Sequence, residues 1–235
     1  MADYATLAEV KAEINLVDAA GTHTATINRL ITSASQSVDR FCNRPDGFIA
    51  LALVEAAARY YTGAGRGYQF VDECIAITAV AVKDGATDTT YTAWSSPTTN
   101  MAGDGDWFAF SGDPERPNYN ATPYRGIAVD PNGSYSLFTA GQYWGLAGFR
   151  PSRPGRSVPT VRVTARWGYA ATVPPAIQTV TIMQVGRWYK KLASAMAKTV
   201  GRTRFGAMQY QELDDDVKFI LVDGGWKRPS TGWTY

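Results

Sequence analysis

The chain is poor in the residues that most often do chemistry. Its 235 residues include two cysteines, Cys42 and Cys74, and a single histidine, His23. The cysteines form no C-x-x-C pair, so with one histidine they cannot supply a zinc cage. Both are expected as small buried hydrophobes in a reducing compartment. Charged residues make up 19% of the chain and the net charge is +2. That excludes nucleic-acid binding through bulk charge and leaves any electrostatic partner to a local patch. No apolar run is long enough to span a bilayer. The opening "MADYATLAEVKAEI" has neither the basic nor the apolar region of a secretory signal. The expectation is a protein made in a cytoplasm and kept there unless something else carries it out. No internal repeat and no low-complexity tract is present.

Glycine (22), tyrosine (13) and tryptophan (7) are plentiful, and 45% of residues are hydrophobic. The length fits one large domain or two small ones, and the composition points to β-structure with many turns.

Periodicity divides the chain. Thr6 and Glu9 have the spacing of a capping box, and Leu7, Val10, Ile14 and Val17 make one apolar face after it. "DAAG" ends that helix and "THT" offers caps for a second, whose stripe is Ile27, Leu30, Ile31, Ala34, Val38 and Phe41. The second helix should end near Cys42 to Arg44, because Pro45 disfavours helix at its predecessor. Ala57 to Thr62 reads as a strand, "TGAGRGY" as a hairpin or loop with "YQFV" returning, and "CIAITAVAVKDG" as an alternating strand with "TTYTAW" as its partner. The alternation puts Ile75, Ile77, Ala79 and Ala81 on one side and Ala76, Thr78, Val80 and Val82 on the other. Further strand candidates are "DWFAF", "GIAV" and "SYSLF", within hairpins that project from the domain.

"TVRVTARWGY" alternates Val161, Val163, Ala165 and Trp167 against Arg162, Thr164 and Arg166. Gly168 and "TVPP" then turn the chain into a long helix with Pro175 at its first position. Ile177, Val180, Thr181, Gln184, Val185, Trp188, Tyr189 and Leu192 give it a wide buried face, as in a helix packed centrally against the first two. "LDDDVKFIL" starts a last short helix, with Asp214 to Asp216 at the positive end of its dipole and Val217, Ile220 and Leu221 as its apolar face. The fold class is therefore α+β: a small helical bundle with a large inserted antiparallel β region. The divisions are 1–46 for the N-terminal helical pair, 47–168 for the β region with an enlarged part at about 94–155, 169–223 for the later helices, and 224–235 for a tail.

Catalytic and ligand-binding patterns are weak. His23 lies in a polar turn and reads as a surface residue, not half of a dyad. "GAGRGY" is flanked by strands on both sides, so it lacks the helix start that a phosphate loop needs. Asp104 and Asp106 lack the rest of a calcium-loop pattern. Asp113, Glu115 and Asp130, in an aromatic-rich region, are the acids a glycan-active enzyme would use. Trp94, Trp107, Tyr119, Tyr124, Tyr143 and Trp144 are the platform a carbohydrate- or ligand-binding β-module with a helical base would use. Loop acids beside packing aromatics account for both sets. Arg187, Lys190, Lys191, Lys198, Arg202 and Arg204 form a basic run that is either a solvated helix end or a surface for DNA or a neighbouring subunit.

The order of motifs resembles a known family. "ASQSVDRFCNR" (Ala34 to Arg44) is similar to the A-S-x-x-I/V-D-x-x-C-x-R signature of tailed-phage head–tail connector proteins, also called adaptor or head-completion proteins. "RYYTGAGRGYQFVDECIAITAVAVKDG" resembles that family's hairpin and following strand, "VTARWGYAATVPPAIQTVTIMQVGRWYKK" its strand–proline–helix passage, and "LDDDVKFIL" its short final helix. The resemblance spans roughly Tyr4 to Lys83 and Pro159 to Val222, and leaves out Trp94 to Pro154.

It implies a structural, non-enzymatic virion neck protein without cofactor or metal, assembled in the host bacterial cytoplasm. Such a protein forms a ring of its own copies, usually dodecameric, under the portal protein. The ring extends the channel for packaged DNA, which it meets without sequence preference, and docks a stopper or tail terminator; no membrane is involved. The tail is then expected to bind portal or a neighbour through Trp226, Lys227, Arg228, Trp233 and Tyr235. The basic run is expected at the DNA channel or at a subunit contact.

Overall fold

A computed structural model describes residues 2–18, 21–50, 52–100, 103, 105–113, 116–141, 158–198 and 213–228. The fold is α+β, with four helices and a seven-stranded antiparallel sheet among the described residues. The chain divides into two compact units, one of residues 1–48 with 172–235 and the other of residues 49–171.

The first unit holds α1 (Leu7–Glu13), α2 (Thr24–Phe41), α3 (Pro175–Lys198) and α4 (Asp215–Asp223). Thr6 and Glu9 do form the capping box on α1. α1 is shorter than its apolar spacing predicts. Asn15 adopts a left-handed φ of 52°, and the Leu16 N–H reaches back to the Lys11 carbonyl at 2.9 Å, which closes a Schellman end. Val17 therefore leaves the apolar face and is 93% exposed.

No side chain of "THT" caps α2, whose N-cap is His23; instead the Asp18 carboxylate fixes the turn before the helix, accepting from the N–H groups of Thr22 at 2.9 Å and His23 at 3.1 Å. α2 ends where Pro45 requires, again by a Schellman turn, with Asn43 at φ 55° and the Arg44 N–H on the Asp39 carbonyl at 2.9 Å. α3 starts at Pro175 and buries Ile177, Val180, Thr181, Gln184, Val185 and Trp188. Val185 and Trp188 pack with Val10, Ile27, Leu30, Ile31 and Ala34 in one core, so α3 lies against both N-terminal helices as its wide face predicts.

The residues of "ASQSVDRFCNR" meet at a buried polar node. Ser35, Asp39, Cys42 and Arg44 are all buried, the least so only 3% exposed. The Tyr4 hydroxyl donates to Asp39 Oδ1 at 2.5 Å and accepts the Phe48 N–H at 2.8 Å. The Tyr4 N–H donates to Ser35 Oγ at 3.0 Å, and Ser35 Oγ in turn donates to the Ile31 carbonyl at 2.9 Å. Gly47 completes the node: its φ is +75°, and a Cβ there would lie 2.7 Å from the Tyr4 hydroxyl, so only glycine fits.

The second unit is the sheet, made of β1 (Ala57–Tyr61), β2 (Tyr68–Val82), β3 (Thr92–Trp94), β4 (Trp107–Asp113), β5 (Arg116–Asn118), β6 (Tyr124–Val129) and β7 (Val161–Trp167). Its order is β1-β7-β2-β6-β4-β5, with β3 also on β2. "YQFV" is the first part of β2, and β7 lies between β1 and β2, so "TGAGRGY" does not close a β1–β2 hairpin. "SYSLF" forms no strand; Phe138 instead buries its ring in the core and donates its N–H to the Arg66 carbonyl at 2.9 Å.

Register shifts along β2 break the strict alternation read from the sequence. The two shifts against β7 each add one residue to β2, and a one-residue shift flips the face that follows. As a result Val71, Cys74, Ile77, Val80 and Val82 all meet one core. β7 has no such shift in burial and keeps Val161, Val163, Ala165 and Trp167 inside, as predicted. The ends of this unit lie side by side, with the Ala50 N–H on the Ala170 carbonyl at 2.8 Å. Gly168 makes the approach possible: at φ +132°, a Cβ would fall 2.4 Å from the Ala50 Cα.

Among the described residues no helix is long and apolar enough to cross a membrane. Cys42 and Cys74 are both buried, and burial pushes each thiol up to about 12.

The node predicts a pH signature. Burial lifts the Asp39 carboxyl to about 6, against the opposing pull of the Tyr4 hydrogen bond and Arg44. Above the ordinary carboxylate range and below that value the folded state holds a proton the unfolded state has lost. This contribution to stability is therefore complete below the unfolded pKa and disappears as pH rises through the folded one. Asp39→Asn keeps an acceptor for Tyr4 and cannot ionise. Denaturant titrations should show its stability relative to wild type improving by about 1–3 kcal/mol between pH 4 and 7. A difference that is constant with pH would contradict the assignment.

Candidate interaction surfaces

The basic run is only partly free for a partner. Gln184, Arg187 and Lys191 recur at helix spacing on the side of α3 that meets the start of α4. Gln184 Oε1 accepts the Asp214 N–H at 2.9 Å. Arg187 forks onto both carboxylate oxygens of Asp216 and reaches Asp214 at 3.5 Å, while Lys191 lies 3.2 Å from Asp214. The Arg187 hydrogen bonds hold the Asp216 carboxyl down to about 2, and the Arg187 guanidinium is raised in return. Two cations of the run thus tie α4 to α3. Lys190 is exposed and has no ion partner among the described residues. The Lys198 side chain, Arg202 and Arg204 fall outside the described residues.

The first residues of the tail pack on their own unit. α4 ends in a third Schellman turn, with Gly225 at φ 68° and the Trp226 N–H on the Leu221 carbonyl at 3.0 Å. That turn directs its following residue back towards the helix. Trp226 meets the Phe48 ring edge-on at 5.9 Å, and its carbonyl accepts from Arg44 Nε at 3.1 Å. Lys227 sits 4.4 Å from the centre of the Phe41 ring, and the Arg228 N–H donates to the Cys42 carbonyl at 3.0 Å. These three residues are therefore engaged with the end of α2. Trp233 and Tyr235 lie outside the described residues.

Among the described residues, the candidate acids and aromatics of the β unit are used internally. Asp106 accepts the N–H groups of Ser95 at 2.7 Å and Ser134 at 2.8 Å, and these bonds hold its carboxyl below the ordinary range against the cost of burial. Asp130, fully buried, accepts from Gly103 and from Asn132 at 2.9 Å. Both acids fix loops. Asp104, Glu115, Tyr143 and Trp144 lie outside the described residues, as does the Asp113 side chain. Trp94 and Trp107 are buried; Trp94 stacks on Tyr135 at 4.6 Å and Phe138 at 4.9 Å. Tyr119 packs edge-on against Phe108, and Tyr124 lies against the core. An aromatic binding platform would need these rings in solvent.

The "GAGRGY" loop has no helix behind it, and its Gly63 N–H is taken by Thr160 Oγ1 at 3.0 Å. His23 meets Tyr189 edge-on at 5.8 Å. No group of three or more His, Cys, Asp or Glu among the described residues is placed to hold a metal ion.

Two surfaces were missed at the level of sequence. On α4, Phe219 and Val222 are 67% and 54% exposed. The signal was available, since nine residues carrying five apolar side chains exceed one buried stripe. On the sheet, Lys83 and Arg162 both lie over the Tyr91 ring, at 5.0 Å and 5.2 Å from its centre. Lys83 and Tyr91 flank the turn between β2 and β3, but Arg162 comes from β7, far along the chain, so nothing local announces the three together.

No family model matches the chain, and no curated protein matches it. A solved structure described as the neck of an empty GTA particle, computed with C6 symmetry, is similar to it at a TM-score of 0.46 and 12% identity. That similarity covers 96% of this chain and 90% of the other.

Two outcomes follow for the helical unit. Arg187→Ala should speed hydrogen exchange of the α4 amides and leave α2 unchanged. In wild type the same amides should keep their protection above pH 4 and lose it as pH falls towards about 2, because the stabilising charge on Asp216 disappears there. Ending the chain after Gly225 should cost about 1–3 kcal/mol in thermal or chemical denaturation, through the lost Arg44 and Cys42 partners. Ending it after Arg228 keeps those partners and should cost less. Equal stability of the two truncations would show that the return of Trp226 to α2 is not a stabilising contact.

Proposed function

We propose that this chain is a structural neck protein of a tailed phage or phage-like particle, a head–tail connector and not an enzyme. Copies of it form a ring under the portal, extend the DNA channel and dock a stopper or tail terminator. The observation that carries this reading is "ASQSVDRFCNR". The residues that make it resemble the connector signature, Ser35, Asp39, Cys42 and Arg44, are the buried ones that organise the helical unit. The strand–proline–helix motif of the resemblance also falls at a joint: Gly168 lets the chain pass Ala50, and Pro175 opens α3. Motifs that fix such joints support a shared architecture more strongly than surface matches do.

A scaffold of this kind acts by presenting surfaces. The exposed cation Lys190, with Lys198, Arg202 and Arg204 after it, is the proposed strip for DNA or a neighbouring subunit. Multiplied around a ring, a few cations per copy make a lined channel. The proposed portal contact belongs to the end of the tail, Trp233 and Tyr235, since Trp226 to Arg228 are held by α2. Aromatic anchors of that type carry much of the energy of an interface.

Mass photometry and negative-stain imaging of the full chain, alone and with purified portal, test the reading. The expected result is a closed ring, either free or seated on the portal. A chain that stays monomeric in both conditions contradicts it. In the same assay, the truncation after Arg228 should assemble with itself but bind portal more weakly.

A further inference from the structure

Among the described residues, the patch around Tyr91 has two cations and no anion paired with them. Lys83, at the end of β2, is only 9% exposed, and Arg162 is half-buried on β7. Neither has a carboxylate within ion-pair distance among the described residues. Acids nearby in sequence or space have other partners: Asp84 accepts from Thr92 Oγ1 at 3.4 Å, Asp88 from the Gly85 N–H at 2.6 Å, and Asp72 from Arg59 at 2.8 Å and Tyr61 at 2.9 Å. The Tyr91 hydroxyl donates to the Pro159 carbonyl at 2.8 Å, which fixes the ring beside both cations. Tyr60, 56% exposed, lies beside it with ring centres 5.9 Å apart. Two like charges on one ring repel each other, and a mostly buried lysine is rarely left without an opposite charge. The patch is built for an anionic partner that also offers apolar surface to the tyrosines.

α4 carries the complementary chemistry. Asp215, Phe219, Val222 and Asp223 are spaced to share one face of the helix. This face is the one turned away from buried Val217 and Leu221. Phe219 and Val222 are more than half exposed. The Asp215 side chain is fully exposed, with Lys218 as its ion partner among the described residues at 3.5 Å. Asp223 is exposed and has no ion partner among the described residues. Two carboxylates about 12 Å apart along the axis thus frame an apolar centre.

We infer that α4 of one copy docks on the Tyr91 patch of a neighbouring copy. Phe219 and Val222 cover Tyr60 and Tyr91, and Asp215 and Asp223 meet Lys83 and Arg162. The surfaces are different, so the contact is heterologous and closes into a ring or continues as a filament. Opposite charge sets the register, and the apolar centre supplies the contact area. A phosphate backbone would also satisfy the two cations, but it would leave Phe219 and Val222 uncovered. This inference rests on the proposed ring.

Charge reversal tests it on the full chain, under the conditions in which wild type assembles, with portal present if assembly needs it. Lys83→Glu with Arg162→Glu should raise the concentration for half-assembly at least about tenfold, and so should Asp215→Lys with Asp223→Lys. Mixing the two reversed proteins, or joining all four changes in one chain, should restore assembly. Phe219→Ser, which touches no charge and no core position, should weaken assembly on its own. Circular dichroism of each variant checks that the monomer is folded.

Wild-type assembly that neither the reversals nor Phe219→Ser disturb overturns the inference and leaves the ring reading standing. Reversals that each disrupt assembly without mutual rescue overturn the pairing. Loss of DNA binding by Lys83→Glu with Arg162→Glu, with assembly intact, assigns the patch to phosphate instead. A wild-type chain that never assembles overturns the ring reading itself.

Discussion

The hydrogen bond from Tyr4 to Asp39 is the constraint on which the helical unit depends. A carboxylate with almost no solvent contact is tolerable only if its lone pairs are occupied and its charge is neutralised or balanced. Tyr4 and Arg44 provide this, and the same groups serve other segments. The Tyr4 hydroxyl also takes the Phe48 N–H, which seats the loop after α2. Arg44 also holds the Trp226 carbonyl, which seats the chain after α4. One buried acid therefore links the N-terminal segment, the end of α2, the following loop and the C-terminal return. Replacing one partner leaves several others unsatisfied, which is the condition for strong coupling among them.

The β unit follows a different logic. Two of its buried acids act on backbone: Asp106 and Asp130 gather loop N–H groups, and those bonds explain their positions. Its large aromatics fill the core, where β2 changes face at each bulge to stay in contact with them. These contacts account for Asp106, Asp130, Trp94 and Trp107 without a ligand. What is left unbalanced is at the surface: the cations on Tyr91, the acid-framed apolar face of α4, and exposed Lys190. Unbalanced surfaces of opposite sign on one chain are what a self-assembling protein needs, and they give the proposed neck role a physical basis in addition to the motif resemblance.

Much of the fold was legible because its signals were local. The capping box at Thr6, the end of α2 before Pro45, the alternation of β7 and the start of α3 at Pro175 each depend on a few adjacent residues. The errors came from longer range or from left-handed turns. Asn15 ended α1 early, where composition pointed to "DAAG". The strand order placed β7 between β1 and β2, a pairing fixed by residues about a hundred positions apart. The basic run was visible as composition, but its division into helix-tying Arg187 and Lys191 and exposed Lys190 depends on where α4 sits. Trp226 looked like a tail anchor until Gly225 turned it inward. The Tyr91 patch adds Arg162 of β7 to Lys83 and Tyr91 across the β2–β3 turn, and that long-range part has no local pattern.

Imaging the neck of the particle that carries this protein, at a resolution that traces helices, tests the central claim most directly. The account predicts a closed ring of copies below the portal, each with α4 against the Tyr91 patch of the next. A neck with no density for this chain, or with the chain present as isolated monomers, would contradict it.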